Sequence, residues 1–295
     1  MPKTEHWQWY VEQFSPTELH HHAIEETYFS GDTPFQHVAV VRSSTFGKML
    51  ILDGDTQSAE ADERIYHETL VHPALAAVRE RSEVLILGGG EGATLREALR
   101  CPDVKRCTMV DIDGSVVELA RRYLPEWSDG SFDDSRARVI IDDALAFLDR
   151  DDGRYGAILS DLTEPREDSP SNPLFRDEVF RQIKDHLCEG GVYALQASTA
   201  GVHHMALHAK MARSLRPHYR YVRSFYTHVP AFDADWAFIA CSDAVDVAAL
   251  SEHAIAMYVG TLRGENYFYD AETHRRLFSL PLYLRRELAK EGDVF

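Results

Sequence analysis

The sequence predicts an α/β protein: a doubly wound, mostly parallel seven-stranded sheet with a small antiparallel β domain at its N-terminal side. Three observations carry that expectation. From residue 83 onward, short apolar runs alternate with stretches of helical periodicity. A glycine run, Gly88-Gly89-Gly90-Glu91-Gly92, separates the first apolar run from the helix that follows. Before residue 80 the pattern is different, with strand-like runs joined by turn residues.

Taken in order, Phe35 to Arg42 and Lys48 to Asp53 read as strands on either side of a turn containing Gly47, and Asp53-Gly54 marks a second turn. Asp62 to Ala77 has apolar residues at helical spacing despite Pro73. Val84 to Leu87 is a strand and Ala93 to Leu99 a helix; Cys107 to Asp111 is a strand and Ser115 to Tyr123 a helix. Arg138 to Ile141 and Gly156 to Ser160 are further strands. Phe175 to Leu187 reads as a helix, Val192 to Gln196 as a strand and Met205 to Leu215 as a helix. Tyr219 to Phe225 and Trp236 to Cys241 close the series as strands. The division this implies is residues 1–75, a β domain with its linking helix, and residues 76–295, the doubly wound domain. Ser251 to Phe295 has helical patches and aromatic residues, with packing or a subunit contact as its expected use.

A chain of 295 residues is long enough to bury a full core. No run approaches the ~20 apolar residues of a membrane span. The start MPKTEHWQWY lacks a basic n-region and an apolar h-region, so the expected compartment is the cytoplasm. Cys101, Cys107, Cys188 and Cys241 lack C-x-x-C spacing and read as ordinary thiols. His20, His21 and His22 are consecutive and point in different directions, which argues against one tight metal site, and no metal is expected. The formal charge of −17, from 31 basic and 48 acidic side chains, speaks against non-specific binding to nucleic acid. It suits a cationic substrate, although charge of this sign also simply aids solubility.

The chemistry concentrates at strand ends. The glycine run lets backbone approach a ligand, and Asp111-Ile112-Asp113 ends the next strand, where an acid accepts hydrogen bonds from ribose hydroxyls. The spacing departs from G-x-G-x-x-G, which favours an adenosyl ligand without a pyrophosphate over a nicotinamide dinucleotide. Asp142-Asp143 ends the third strand; a carboxylate there can hold an adenine amino group or cap the helix starting near Ala144. Asp161 and Glu164, in Ser160-Asp161-Leu162-Thr163-Glu164-Pro165, face the same crevice and can bind an amine and accept its proton, or serve as turn formers. Tyr66-His67-Glu68 lies on the helix between the domains; its tyrosine and histidine can line a substrate channel, but taken alone it reads as a core tyrosine beside a surface histidine.

Together these segments resemble the spermidine synthase family of polyamine aminopropyltransferases. GGGEG, VDID, SDLTEP and LQAS recur in the family's order and spacing, and LILDGDTQSAEADERIYHETLVHPAL is the most specific stretch. The resemblance covers about Phe35 to Asp243 and implies a methyltransferase-like Rossmann fold. Within the family, GGGEG, SDLTEP, QASTAG and HVPAFDADWAF are most similar to thermospermine synthases, which implies spermidine as acceptor, with putrescine as the alternative.

The resemblance also implies roles. Gln36, Gln57, Gly88, Gly89, Asp111, Ile112, Asp143 and Ala144 would surround the donor, decarboxylated S-adenosylmethionine, and Glu91 would bind its primary amine. Asp161 would be the catalytic base, with Tyr66 and His67 orienting the attacking amine. Pro170 would lie in a covering loop, Gln196 would help anchor the substrates, Glu164 would hold a charged amine, and Phe232 and Trp236 would wall the acceptor channel. Three departures bear on acceptor identity: Glu164 stands where Asp is usual, Ala144 replaces a usual Gly, and Phe232 stands near a usual Tyr. No prosthetic group is implied, and a homodimer or homotetramer is. The rival readings are a methyltransferase using S-adenosylmethionine and a catalytically silent binding protein on the same fold.

Overall fold

The computed structural model describes residues 8–165 and 171–295. Its first sheet is a five-stranded antiparallel meander: β1 (Gln8–Ser15), β2 (Glu18–Asp32), β3 (His37–Ser43), β4 (Gly47–Leu52) and β5 (Asp55–Ala59), paired in chain order. The turn between β4 and β5 is Asp53-Gly54, both at positive φ (48° and 86°), the backbone of a tight hairpin turn matched to strand twist. β3 and β4 carry the apolar alternation that announces them. β1 and β2 do not, because much of both strands is exposed. β5 (DTQSA) is polar although much of it is buried; its Thr56 and Ser58 hydroxyls bond carboxylates, Glu12 and Glu91 respectively.

Helix α1 (Glu63–Ala77) follows and is buried along almost its whole length. Then come β6 (Glu83–Gly88), α2 (Ala93–Leu99), β7 (Arg106–Asp111), α3 (Gly114–Tyr123), the short α4 (Pro125–Ser128), β8 (Ala137–Ile141), α5 (Ala144–Arg150) and β9 (Tyr155–Asp161). Helix α6 (Asp177–Asp185), β10 (Leu187–Thr199), α7 (Ala206–Leu215), β11 (Tyr221–Val229) and β12 (Ala234–Ser242) complete the second sheet. The tail of the chain forms α8 (Glu252–Val259), α9 (Ala271–Leu277) and α10 (Leu282–Leu288).

The second sheet has seven strands in the order β11-β12-β10-β9-β6-β7-β8, with β12 antiparallel to both neighbours and β6 to β10 parallel. This is the doubly wound sheet the alternation of elements predicts. The chain winds outward from β6 through β7 and β8, then crosses back to β9 on the other side of β6. The switch point is therefore the paired carboxyl ends of β6 and β9, and ligands bind in such a crevice. Gly88 and Asp161 are register partners there.

His208 on α7 has no exposed surface. Burial, weakly opposed by the Ala197 backbone, pushes it from 6.5 down to about 4. The unfolded chain therefore takes up a proton below pH 6.5 that the folded protein refuses until about pH 4, so stability falls as pH drops across that window. His208→Leu is expected to shrink the loss of unfolding free energy between pH 7 and 4.5 by on the order of 3 kcal/mol. Denaturant titrations of parent and variant at both pH values measure it, and equal pH dependence refutes it.

Candidate active site

A cavity of about 720 Å³ opens at the switch point, between the meander and the carboxyl edge of the parallel sheet. One wall is the glycine turn. Gly88 and Gly89 have φ of 82° and 74°, and a Cβ at Gly88 would strike the Asp161 carbonyl. That carbonyl accepts the Gly89 N–H at 3.0 Å, so the turn is stitched to β9. A Cβ at Gly90 would come within 2.8 Å of the Asp111 carboxylate, so the turn must lack side chains for that acid to reach the cavity.

Asp111 ends β7. Burial pushes it up to about 6, opposed by the Asp113 and Gly90 backbone N–H groups. Asp113 caps α3 and accepts from Thr33 Oγ1 (2.6 Å) and Gln36 Nε2 (3.1 Å), which fixes Gln36 at the cavity rim. Asp143 accepts the Ala146 N–H at 2.9 Å as the cap of α5, and it also lines the cavity beside Ala144. Ile112 and Gln57 line the cavity as well.

Across from Asp111 stands Asp161, the last residue of β9. Tyr66 Oη donates to its Oδ1 at 2.8 Å and Thr94 Oγ1 to its Oδ2 at 2.5 Å, so the plane of the carboxylate is fixed from two helices. Burial, reinforced by the Asp161 charge, lifts the Tyr66 hydroxyl far above the usual phenol range, so it remains a donor. Glu164 lines the same cavity. Phe232 and Trp236 form a T-shaped pair 4.9 Å apart, with Tyr66 edge-on to Phe232 at 6.2 Å. Gln196 donates to the Leu162 carbonyl at 2.7 Å and accepts the Ser198 N–H at 3.0 Å; its amide braces the loop after β9 as well as facing the cavity. Pro170 lies outside the described residues.

His67 requires correction. It is neither a surface histidine nor part of the cavity lining: only 1 % of it is exposed, and it lies behind Glu91. Its Nε2 is 2.8 Å from Glu91 Oε1 and 3.9 Å from Asp161 Oδ2, while Nδ1 is 2.6 Å from the Glu63 carbonyl and 3.1 Å from Glu63 Oε2. Helical geometry explains the position: one residue after Tyr66, the side chain is rotated by about 100° away from the cavity-facing direction. Burial alone would lower His67, but its hydrogen bonds to Glu63 and Glu91 overcome it and raise the group to about 10. Glu91 itself is raised by burial and by the Asp161 and Glu63 charges, with His67 pulling the other way.

Sequence reasoning missed Thr94, Ser58, Glu63 and Arg96. Ser58 Oγ donates to Glu91 Oε2 at 3.2 Å and accepts from Trp127 Nε1 at 2.7 Å. Arg96 clamps Glu63 with two bonds of 3.0 and 2.8 Å. Thr94 carried a usable signal, since it lies in the first turn of the helix after the glycine run. A lone serine or an Arg–Glu pair far apart in sequence carries none.

A glycine turn and the Asp111 carboxylate at the switch point of a doubly wound sheet, with Asp161 held by two hydroxyls in the same cavity, form a crevice of the kind that takes nucleoside-bearing ligands. Residues 63–250 match the spermine/spermidine synthase domain and residues 8–60 the spermidine synthase tetramerisation domain. The polyamine aminopropyltransferase of Sulfolobus acidocaldarius is 42 % identical over 98 % of this chain and 95 % of its own; that of Aeropyrum pernix is 39 % identical over 97 % and 92 %. A crystal structure of spermidine synthase in complex with the transition-state analogue AdoDATO superposes with a TM-score of 0.90 at 26 % identity, covering 98 % of this chain and 96 % of that one. Spermidine synthase from Thermotoga maritima gives 0.87 at 26 %, covering 98 % and 95 %. The chain belongs to the spermidine synthase family of polyamine aminopropyltransferases. The match of the meander to a tetramerisation domain supports oligomer formation. Among the described residues, no helix is long and apolar enough to cross a membrane.

Proposed function

We propose that this enzyme transfers the aminopropyl group of decarboxylated S-adenosylmethionine to spermidine, giving thermospermine or spermine, and releases methylthioadenosine. The observation that carries the reading is the Asp161 carboxylate, held by Tyr66 and Thr94 opposite Asp111 and the glycine turn. The donor's adenosyl part would lie along Gln36, Gln57, Asp111, Ile112, Asp143 and Ala144, with its primary amine at Glu91. The acceptor would extend past Asp161 toward Glu164, Gln196, Phe232 and Trp236. Spermidine is favoured over putrescine because Glu12, Asp53, Asp55 and Glu164 line the cavity in addition to Glu91 and Asp161, more anions than a diamine requires. The match of residues 8–60 supports a homotetramer over a homodimer.

A free primary amine holds its proton up to about pH 10.4, as lysine does, so the acceptor arrives as an ammonium. Asp161 takes one proton from the reacting nitrogen. The freed lone pair forms the new N–C bond at the propyl carbon, the C–S bond breaks, and its electron pair stays on sulfur as a neutral thioether. The leaving group needs no acid, and holding nitrogen and carbon in line supplies most of the acceleration.

Incubating the enzyme with decarboxylated donor and either spermidine or putrescine, and with ordinary S-adenosylmethionine in parallel, then chromatographing the products, tests this. The expected products are aminopropylated spermidine and methylthioadenosine. A methylated amine would establish the methyltransferase reading instead, turnover with putrescine alone would reassign the acceptor, and no product would leave a binding protein.

A further inference from the structure

Two carboxylates beside an ammonium strengthen its grip on the proton it must lose. The region behind Glu91 and Asp161 addresses that difficulty. Both ring nitrogens of His67 face acceptors only: the Glu63 carbonyl and carboxylate at Nδ1, the Glu91 and Asp161 carboxylates at Nε2. Such surroundings call for an N–H on each nitrogen, hence a cation. The groups facing it are Asp62, Glu63 and Tyr66 on α1, Glu91 in the glycine turn and Asp161 on β9. Arg96 from α2 grips Glu63 from behind and also donates to the Trp127 carbonyl at 2.7 Å. Glu63 itself lines no part of the cavity.

We propose that Glu63, held by Arg96, is a positioning residue for aminopropyl transfer: it fixes His67 as a permanent cation behind the Glu91–Asp161 pair, and that cation offsets part of the pair's charge, so that an ammonium the pair attracts gives up its proton more readily. The inference rests on the aminopropyl-transfer reading. The proton still passes from the attacking nitrogen to Asp161, and His67 neither gives nor takes one. Its positive charge lies 3.9 Å from Asp161 Oδ2, behind the carboxylate that an ammonium would approach, and a like charge on that side favours the free amine.

The test is the pH profile of kcat in the parent, His67→Gln and Glu63→Gln, joined to an NMR titration of the His67 ring, whose signal is assigned by its loss in His67→Gln. His67→Gln can keep a donor for Glu91 but loses the charge and the donor to Glu63. Its rising limb is expected to move up by about one pH unit, leaving it about tenfold slower at neutral pH and approaching the parent in alkali. In the parent, His67 stays charged to about pH 9; in Glu63→Gln its midpoint falls by about one unit or more. Should Glu63→Gln not fold, the parent titration and His67→Gln still decide. A uniform rate loss at every pH in His67→Gln, or a parent His67 that is neutral at pH 7, overturns the proposal. A folded parent that makes no aminopropylated product removes the transfer reading and this role together, whereas a productive parent with uniform loss removes only the role of the cation.

Discussion

Asp161→Asn is expected to lower kcat by roughly 10²–10⁴, the range for losing a general base, while donor affinity stays near that of the parent. The substitution is close to isosteric, and the two groups that hold the carboxylate, the Tyr66 and Thr94 hydroxyls, can each turn to accept from the new amide. The backbone link from Gly89 N–H to the Asp161 carbonyl is untouched, so the glycine turn keeps its shape. What disappears is the carboxylate proposed above to accept the amine's proton. Tyr66→Phe is expected to cost less, since it removes one of two hydroxyls orienting the carboxylate and leaves the base itself. Initial rates with saturating donor give kcat, and calorimetry with the donor alone gives its affinity. Asp161→Asn turnover within about threefold of the parent would reject a proton-accepting role. A large loss accompanied by lost donor binding would point to collapse of the glycine turn instead.

The framework of this site was legible because its signals are local. The apolar run of β6, the five residues of the glycine turn and the acid ending β7 lie in one stretch, and the helix read over Ala93 to Leu99 coincides with α2. Elements were missed where polar residues face polar surroundings. β1 and β2 lack a two-residue apolar period because solvent reaches much of both strands, and β5 is polar because its Thr56 and Ser58 bond buried carboxylates. The error over His67 has the same origin. A histidine between a tyrosine and a glutamate on an amphipathic pattern looks solvated, and only the three-dimensional placement of Glu63 and Glu91 at its two nitrogens makes burial of the charge tolerable.

The segment after residue 250 was the least legible, and Glu68 supplies its purpose. Glu68 follows Tyr66 and His67 on α1, has no exposed surface, and accepts three backbone N–H groups of the tail: Tyr267 at 2.8 Å, Phe268 at 2.9 Å and Tyr269 at 2.8 Å. Arg100 adds a second clasp, donating to the Arg263 carbonyl at 2.9 Å and to Asn266 Oδ1 at 2.6 Å while lying 3.7 Å from Glu68. The tail therefore buttresses the helix that presents the tyrosine to Asp161. Glu68→Ala strips the acceptor from three backbone donors and leaves the buried Arg100 charge short of one anion. The cost is expected to be about 3–5 kcal/mol, the range for breaking a buried charge pair, and the melting temperature should fall by roughly 10 °C. Glu68→Gln keeps one accepting oxygen and should lose about 1–3 kcal/mol, the cost of leaving buried donors unpaired. Amide exchange at residues 267–269 should quicken in both variants before exchange in β6 or β9 does, because the clasp opens locally. Melting within about 2 °C of the parent in Glu68→Ala, or unchanged exchange at those three amides, would show that the tail is held by its apolar contacts alone.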